Sequence, residues 1–245
     1  MKPSSFGDRL AAAVTSKRSA VCVGLDPRWE SLPAAIRAGV DATCLKSIAG
    51  ATNCYCREVI DAVAETAAII KPQAAFFEQL GPAGMVALAD VIAYASKSNL
   101  LVLLDGKRGD IGSTAEGYAD AYLGSESAWG CDALTVNPYL GDDTLEPFFS
   151  TALSRSAGVF VLVKTSNPGS GFIQDQSVGT EKIYQRIAGL VHAAANREVG
   201  ESGYGSIGAV VGATYPEQLA DLRQAMPGVW ILIPGYGMQG GPWLM

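Results

Sequence analysis

Leu103-Leu104-Asp105-Gly106-Lys107-Arg108-Gly109-Asp110-Ile111 is the stretch on which the reading of this chain turns. The apolar run from Leu100 to Leu104 suits a strand buried on both faces, as in a parallel sheet. It stops at a carboxylate, an ammonium and a second carboxylate packed into six residues. If the strand continues through Lys107, the two-residue period points Asp105 and Lys107 the same way. The glycines then let the chain turn so that Asp110 faces them. Ser113-Thr114-Ala115-Glu116 has the spacing of a capping box, which sets Asp110 just before a helix N-terminus. Strand, charged turn and helix in succession is where α/β enzymes keep their chemistry. Arg108-Gly109-Asp110 also spells a cell-adhesion signal, but nothing else in the sequence points outside the cell.

The same design recurs on either side. Ser5-x-x-Asp8 caps a first helix running to about Lys17, and residues 20–26 read as a buried strand ending in Asp26. A loop and one or two helices fill residues 27–67, then residues 68–73 make a strand with Lys71 at its tip and Pro72 helping to end it. Pro82 to Ser98 is helical. Further strands are expected at 133–138, 159–166, 207–214 and 230–234, with helical segments between them. One of these, Glu181 to Glu198, is amphipathic and carries His192, the sole histidine. Another starts at Tyr215, with Thr214 as cap, Pro216 near its start and Glu217 in its first turn.

Seven apolar strands with helical connections predict an α/β fold with a parallel sheet, and the (β/α)8 TIM barrel is the leading architecture, as a single domain over residues 1–245. A doubly wound sheet is the alternative. The chain ends at Met245, eleven residues after Pro234. As given it is therefore one strand and one helix short of the closed barrel.

Hydrophobic residues make up 49% of the 245 and charged residues 17%, ample for a large core. No apolar run approaches the roughly 18 residues that span a bilayer, and the N-terminal stretch lacks a signal-peptide core, so a cytoplasmic protein away from membranes is expected. Five scattered cysteines do not make a disulfide framework, and Cys54-Tyr55-Cys56 lacks metal-ligand spacing. A net charge of −6 repels nucleic acid, so an anionic ligand must be held by a local positive site, which favours a small phosphorylated metabolite. With one histidine, acid–base chemistry falls to lysines and carboxylates, and His192 reads as a helix-surface or groove residue.

Polar groups gather at carboxyl ends of strands: Asp26, Lys71, Asp105 with Lys107, Asn137, Ser166, and the glycine loop Pro234-Gly235-Tyr236-Gly237-Met238-Gln239-Gly240-Gly241. In a barrel these meet at one mouth, and the loop after the seventh strand presents backbone N–H groups where many barrels bind phosphate. Ser166-Asn167-Pro168-Gly169-Ser170-Gly171 opens a polar loop reaching Gly179, long enough to serve as a lid.

Together these residues resemble orotidine 5′-phosphate decarboxylase, in its bacterial type 2 branch, from Val21 to Gly241. The most telling motif is Asp105-x-Lys107-x-x-Asp110-Ile111. It is backed by Gly24-Leu25-Asp26-Pro27, Lys71-Pro72-Gln73 with Phe76-Phe77-Glu78, Thr165-Ser166-Asn167-Pro168-Gly169, and Pro234-Gly235-x-Gly237-x-Gln239-Gly240-Gly241. The resemblance implies a charged network of Lys71, Asp105, Lys107 and Asp110. It also implies a homodimer in which Asp110, Ile111 and Thr114 reach into the partner's site. Asp26 and Lys71 would contact the ribose of orotidine 5′-phosphate, and Asp110 and Thr114 its other hydroxyl side. Ser166 would contact the pyrimidine and Gln239 would bridge pyrimidine and phosphate, while Gly235, Gly237 and Gly240 of the glycine loop are further candidate substrate-binding residues. The family's phosphate-binding arginine, soon after the eighth strand, has no counterpart in these residues, and Tyr236 and Met238 stand where smaller residues are usual.

The implied reaction forms uridine 5′-phosphate and closes de novo pyrimidine nucleotide synthesis, with neither metal nor organic cofactor. Loss of carbon dioxide leaves a poorly delocalised ring carbanion, so the site must stabilise negative charge at one carbon and then protonate it. Lys107, an ammonium among carboxylates, is the expected general acid, with preorganised electrostatics as the main source of rate. Two other readings share these residues: a magnesium-dependent keto-sugar-phosphate lyase with the same charged motif, and a non-catalytic nucleotide-phosphate binder.

Overall fold

The computed structural model describes residues 4–235. Strands and helices alternate as the apolar runs require: α1 (Phe6–Lys17), β1 (Cys22–Leu25), α2 (Ala34–Arg37), α3 (Leu45–Val63), β2 (Ile69–Pro72), α4 (Ala75–Glu78), α5 (Gly81–Lys97), β3 (Leu101–Arg108), α6 (Gly112–Tyr122), β4 (Ala133–Val136), α7 (Glu146–Ser154), β5 (Gly158–Lys164), α8 (Gly171–Gln174), β6 (Ser177–Val178), β7 (Glu181–Lys182), α9 (Ile183–Ala195), β8 (Ile207–Val211), α10 (Pro216–Ala225) and β9 (Ile231–Leu232). The hydrogen-bonding order is β1-β2-β3-β4-β5-β8-β9, with β6 and β7 forming a separate hairpin. Each main strand neighbours the next in the chain. That is barrel winding, and it lacks the order reversal that defines a doubly wound sheet.

The chain groups into two compact units, and both β3 and β4 have residues in each. In the unit of residues 10–106 and 121–134, β1 and β2 run parallel from Cys22 opposite Ile69 to Leu25 opposite Pro72, and β2 pairs with β3 through Ile69–Leu101 and Ile70–Val102. The outer layer follows from helical spacing: α3 buries Ile48, Thr52, Cys56 and Ile60 at four-residue steps, and α5 buries Leu88, Val91, Ile92 and Ala95. Truncating a wholly buried Ile60 to alanine should cost about 2–5 kcal/mol.

In the other unit, residues 1–9, 107–120 and 135–245, β5 pairs in parallel with β8, and β8 with β9. The β5–β8 register shifts between Leu162 and Lys164, so the strand bulges just before its polar end. Phe6, wholly buried at the start of α1, meets Phe160 of β5 edge-on at 6.1 Å between centroids.

Four local expectations need correction. Ser113 is not a cap, because α6 begins at Gly112 and Ala115 N–H donates to the Ile111 carbonyl. Thr214 does not cap α10: its hydroxyl donates to the Ser166 carbonyl at 3.3 Å, a tertiary bond that outcompetes the local one. The helix expected from Glu181 starts at Ile183, since Glu181 and Lys182 pair with Val178 and Ser177. The supposed loop from Ser166 to Gly179 holds a 3-10 turn at Pro168–Ser170, then α8 and β6.

Candidate active site

Three acidic and basic groups meet at the carboxyl ends of β1, β2 and β3. Lys71 Nζ lies 3.2 Å from Asp105 Oδ2 and 3.8 Å from Oδ1 of Asp26, the residue just past β1. Lys71 and Asp105 are largely buried, with 14% and 10% of their side chains exposed, whereas Asp26 is 49% exposed. Unit charges about 4 Å apart at an effective dielectric near 20 attract by about 4 kcal/mol, enough to hold the lysine tip in one place.

Gln73 completes this group, and its role was not read from the sequence. Its Nε2 donates to the same Asp105 oxygen at 2.8 Å. The signal was available: Gln73 follows Lys71 by two residues, the spacing that shares a strand face. Close by, burial pushes the Cys22 thiol up to about 11, with Lys71 pulling it down and Asp105 pushing it further up. A thiol held protonated is no nucleophile, so Cys22 is packing material beside the charges.

Past Gly106 the chain enters an unusual turn. Lys107 has φ of +46°, a left-handed conformation that a lysine adopts only when its surroundings impose it. Strict strand alternation therefore breaks at this residue, contrary to the simple two-residue expectation, although β3 does run on to Arg108. The fixing contact comes from Thr135 on β4, which is 1% exposed and whose Oγ1 accepts the Lys107 N–H at 2.9 Å. Thr135 is a second positioning residue that sequence patterning hid among apolar neighbours. Gly109 sits where an added Cβ would lie 2.9 Å from the Asn137 carbonyl oxygen, so no larger residue fits beside β4. Asn137 N–H donates to the Arg108 carbonyl at 2.8 Å, pinning the same turn.

Asp110 then folds its Oδ1 onto the N–H of Ile111 at 2.8 Å, one residue before α6 begins, where a carboxylate complements the helix dipole. Ile111 is 63% exposed, and Thr114 is exposed on the first turn of α6.

Ser166 follows β5 by two residues. Besides the Thr214 hydroxyl on its carbonyl, it faces Gly212, where an added Cβ would lie 2.8 Å from Ser166 Cα. Gly235, at φ +92°, lies within the described residues, and Gly237, Gln239 and Gly240 lie outside them. Among the described residues, no cluster of three or more His, Cys, Asp or Glu side chains is placed to hold a metal ion, and no helix is long and apolar enough to cross a membrane.

Residues 19–243 match the model of the orotidine 5′-phosphate decarboxylase / HUMPS family. A relative named orotidine 5′-phosphate decarboxylase in Rhodopirellula baltica is 56% identical over 97% of this chain and 80% of its own length. The solved structure of Leishmania donovani OMP decarboxylase superposes with a TM-score of 0.76 at 37% identity, covering 94% of this chain and 80% of that one. The UMP synthase of the same organism gives 0.79 at 38% identity over 98% of this chain, which spans 46% of that longer protein. On its strand order, its charged strand ends and this likeness, the chain belongs to the orotidine 5′-phosphate decarboxylase family and has that family's TIM-barrel fold class.

Proposed function

We propose that this chain is a carboxy-lyase that converts orotidine 5′-phosphate to uridine 5′-phosphate, the last step of de novo pyrimidine nucleotide synthesis, with Lys107 as the proton donor. The bond from the ring to the carboxylate breaks, carbon dioxide leaves, and the electron pair stays on the ring carbon. Lys107 Nζ delivers a proton to that carbon and regains one from solvent. No metal or organic cofactor takes part.

The observation that carries this reading is the group at Asp105: Lys71 at 3.2 Å and Gln73 at 2.8 Å on one oxygen, with Asp26 3.8 Å from the same lysine. Such a carboxylate is oriented before substrate arrives, which is the condition for preorganised electrostatic catalysis. Two residues further along the chain stands Lys107, in a left-handed backbone conformation with its N–H held by Thr135. Strained backbone held by its surroundings is a recurring property of catalytic groups. We assign Lys71, Asp105, Lys107 and Asp110 to one charged network. Asp26 and Lys71 hold the ribose, Asp110 and Thr114 its other hydroxyl side, and Ser166 the pyrimidine. Gly235, Gly237 and Gly240 offer N–H groups to the phosphate, and Gln239 bridges phosphate and ring. The active form is a cytoplasmic homodimer in which Asp110, Ile111 and Thr114 enter the partner's site. Exposure of Ile111 at 63%, Tyr139 at 73% and Leu140 at 49% supports such an interface.

The test is the ultraviolet absorbance of orotidine 5′-phosphate mixed with the protein, with and without EDTA. Absorbance should fall at the same rate in both. Lys107→Ala should lower turnover by at least about 1,000-fold, the scale for one preorganised electrostatic group, while nucleotide binding persists. Turnover abolished by EDTA would make the protein a magnesium-dependent lyase, and unchanged absorbance with bound nucleotide would make it a binder.

A further inference from the structure

The end of β5 holds a cation that the chemical step itself does not use. Lys164, the last residue of β5, is wholly buried, a rare place for an ammonium. Its Nζ lies 2.8 Å from Asp175 Oδ1 and stands over the rings of Tyr215 and Tyr184, 4.7 and 5.7 Å from their centroids. Gln218 Nε2 donates to the same Asp175 oxygen at 3.5 Å. These partners come from separate places: Asp175 from the far end of α8, Tyr215 and Gln218 from the start of α10, and Tyr184 from α9.

A second fastening sits beside the first. Thr165 N–H donates to Gln174 Oε1 at 3.0 Å, and Gln174 Nε2 donates back to Thr165 Oγ1 at 2.8 Å. Both fastenings close the neck of one lobe, residues 165–175, and Ser166 is the next residue in it. Beyond the neck Phe172 is 83% and Ile173 41% exposed, while Ser170, 5% exposed, turns its hydroxyl onto that of Tyr215 at 3.5 Å. The lobe's placement therefore rests on the neck, on Ser170 against Tyr215 and on the Thr214 bond to the Ser166 carbonyl, and not on a core of its own.

Replacing a buried ion pair by apolar side chains of similar size is often neutral for stability, so what this pair supplies is the geometry it dictates. A methionine could fill the Lys164 volume, but it could not tie Asp175 to β5. We propose that Lys164 is a positioning residue: held by Asp175 and Tyr215, it fixes both ends of the 165–175 lobe and thereby sets Ser166 against the pyrimidine. This inference rests on the assignment of Ser166 above.

The test follows backbone hydrogen exchange and orotidine 5′-phosphate kinetics in the whole chain carrying K164M, K164R or D175N. In K164M, amides of residues 165–176 should exchange at least tenfold faster while those of β1 to β3 keep their protection. KM should rise at least tenfold and kcat should change less than threefold. K164R, which keeps a donor for Asp175, should recover most of the KM. Lobe amides that exchange at the wild-type rate, or a loosened lobe with unchanged KM, would overturn the proposal. If K164M does not fold, D175N decides: it leaves an acceptor for the ammonium and removes the charge, and should speed lobe exchange at least threefold, with an unchanged rate overturning the clamp. A wild-type chain that leaves orotidine 5′-phosphate intact would overturn the role given to Ser166, while the exchange arm still decides the clamp by itself.

Discussion

Lys71 on β2 and Gln73, the residue just past its end, aim Nζ and Nε2 at one and the same oxygen, Oδ2 of Asp105, at 3.2 and 2.8 Å. The pleat explains how: residues i and i+2 share a strand face, so a long cationic and a shorter amide side chain converge on the neighbouring strand. The bridge between Gln73 and Asp105 and the bond from Ala74 N–H to the Asp105 carbonyl fix that neighbour's height. An oriented carboxylate costs no reorganisation when charge develops on a bound ring.

The two partners of that ion pair should be strongly coupled and unequal. Lys71→Met leaves Asp105, whose side chain is 10% exposed, with the neutral Gln73 donor in place of its nearest cation, and should cost about 1–3 kcal/mol of stability. Asp105→Asn leaves Lys71 with Asp26 at 3.8 Å as a fallback, and should cost less. In kcat/KM the double variant should be better than the sum of the singles by about 1–3 kcal/mol. Urea melts and steady-state kinetics on the four proteins check this, and additive losses would show that the two side chains act independently.

Thr135 should matter through Lys107. Thr135→Val keeps the volume and removes the acceptor of the Lys107 N–H, a bond of 2.9 Å to a side chain that is 1% exposed. The unmet N–H should cost about 1–3 kcal/mol in stability. Turnover should fall by more than tenfold with KM nearly unchanged, since the group that moves acts only once charge develops. Thr135→Ser should restore turnover; if it does not, the hydroxyl is not what holds Lys107.

The strands were legible because burial on both faces leaves unbroken apolar runs, and the charges at Asp26, Lys71 and Asp105 mark where those runs end. What stayed hidden was whatever tertiary contact decides. Nothing in Gly106-Lys107-Arg108 announces a lysine at positive φ, because the reason lies on β4. Thr214 carries a good cap signal, yet its hydroxyl is drawn to Ser166 by the approach of β8 to β5 at Gly212. Lys164 looks like one more charged strand end, and only the packing of Tyr215 and Asp175 shows it to be buried.

The five cysteines should separate by reactivity. Cys44 begins α3, where the side chain of Ser47 and the backbone N–H groups of Ser47 and Lys46 hold its thiol below the usual range. A lowered value means more thiolate at a given pH, so Cys44 should react first with iodoacetamide near neutrality, several-fold faster than an unperturbed thiol. Burial pushes Cys22 up to about 11 and Cys56 up to about 12, and raises Cys131 as well. These three should label only when urea unfolds the chain. Mass spectrometry of peptides across a pH series tests the order, and early labelling of Cys22 would contradict the raised value of its thiol.

Asp8 should make part of the stability depend on pH. Its Oδ1 accepts the Ser202 N–H at 2.8 Å, a bond spanning 194 residues of sequence that ties the first turn of α1 to the segment before β8. That N–H, then the Ser202 and Ser5 hydroxyls, hold the carboxyl below its ordinary value. A carboxyl that is more acidic when folded stabilises the fold above its unfolded value, near about 3.9, and the contribution fades as pH falls through the lower, folded value. Asp8→Asn should therefore cost about 0.5–1 kcal/mol at pH 7, discounted for solvent screening. The gap between the two proteins should close in strong acid, once the carboxyl is protonated in the folded state as well. Urea melts at both pH values measure it, and a gap that persisted in acid would mean that the amide disturbs the Gly200 to Ser202 turn itself rather than removing a charge-assisted bond.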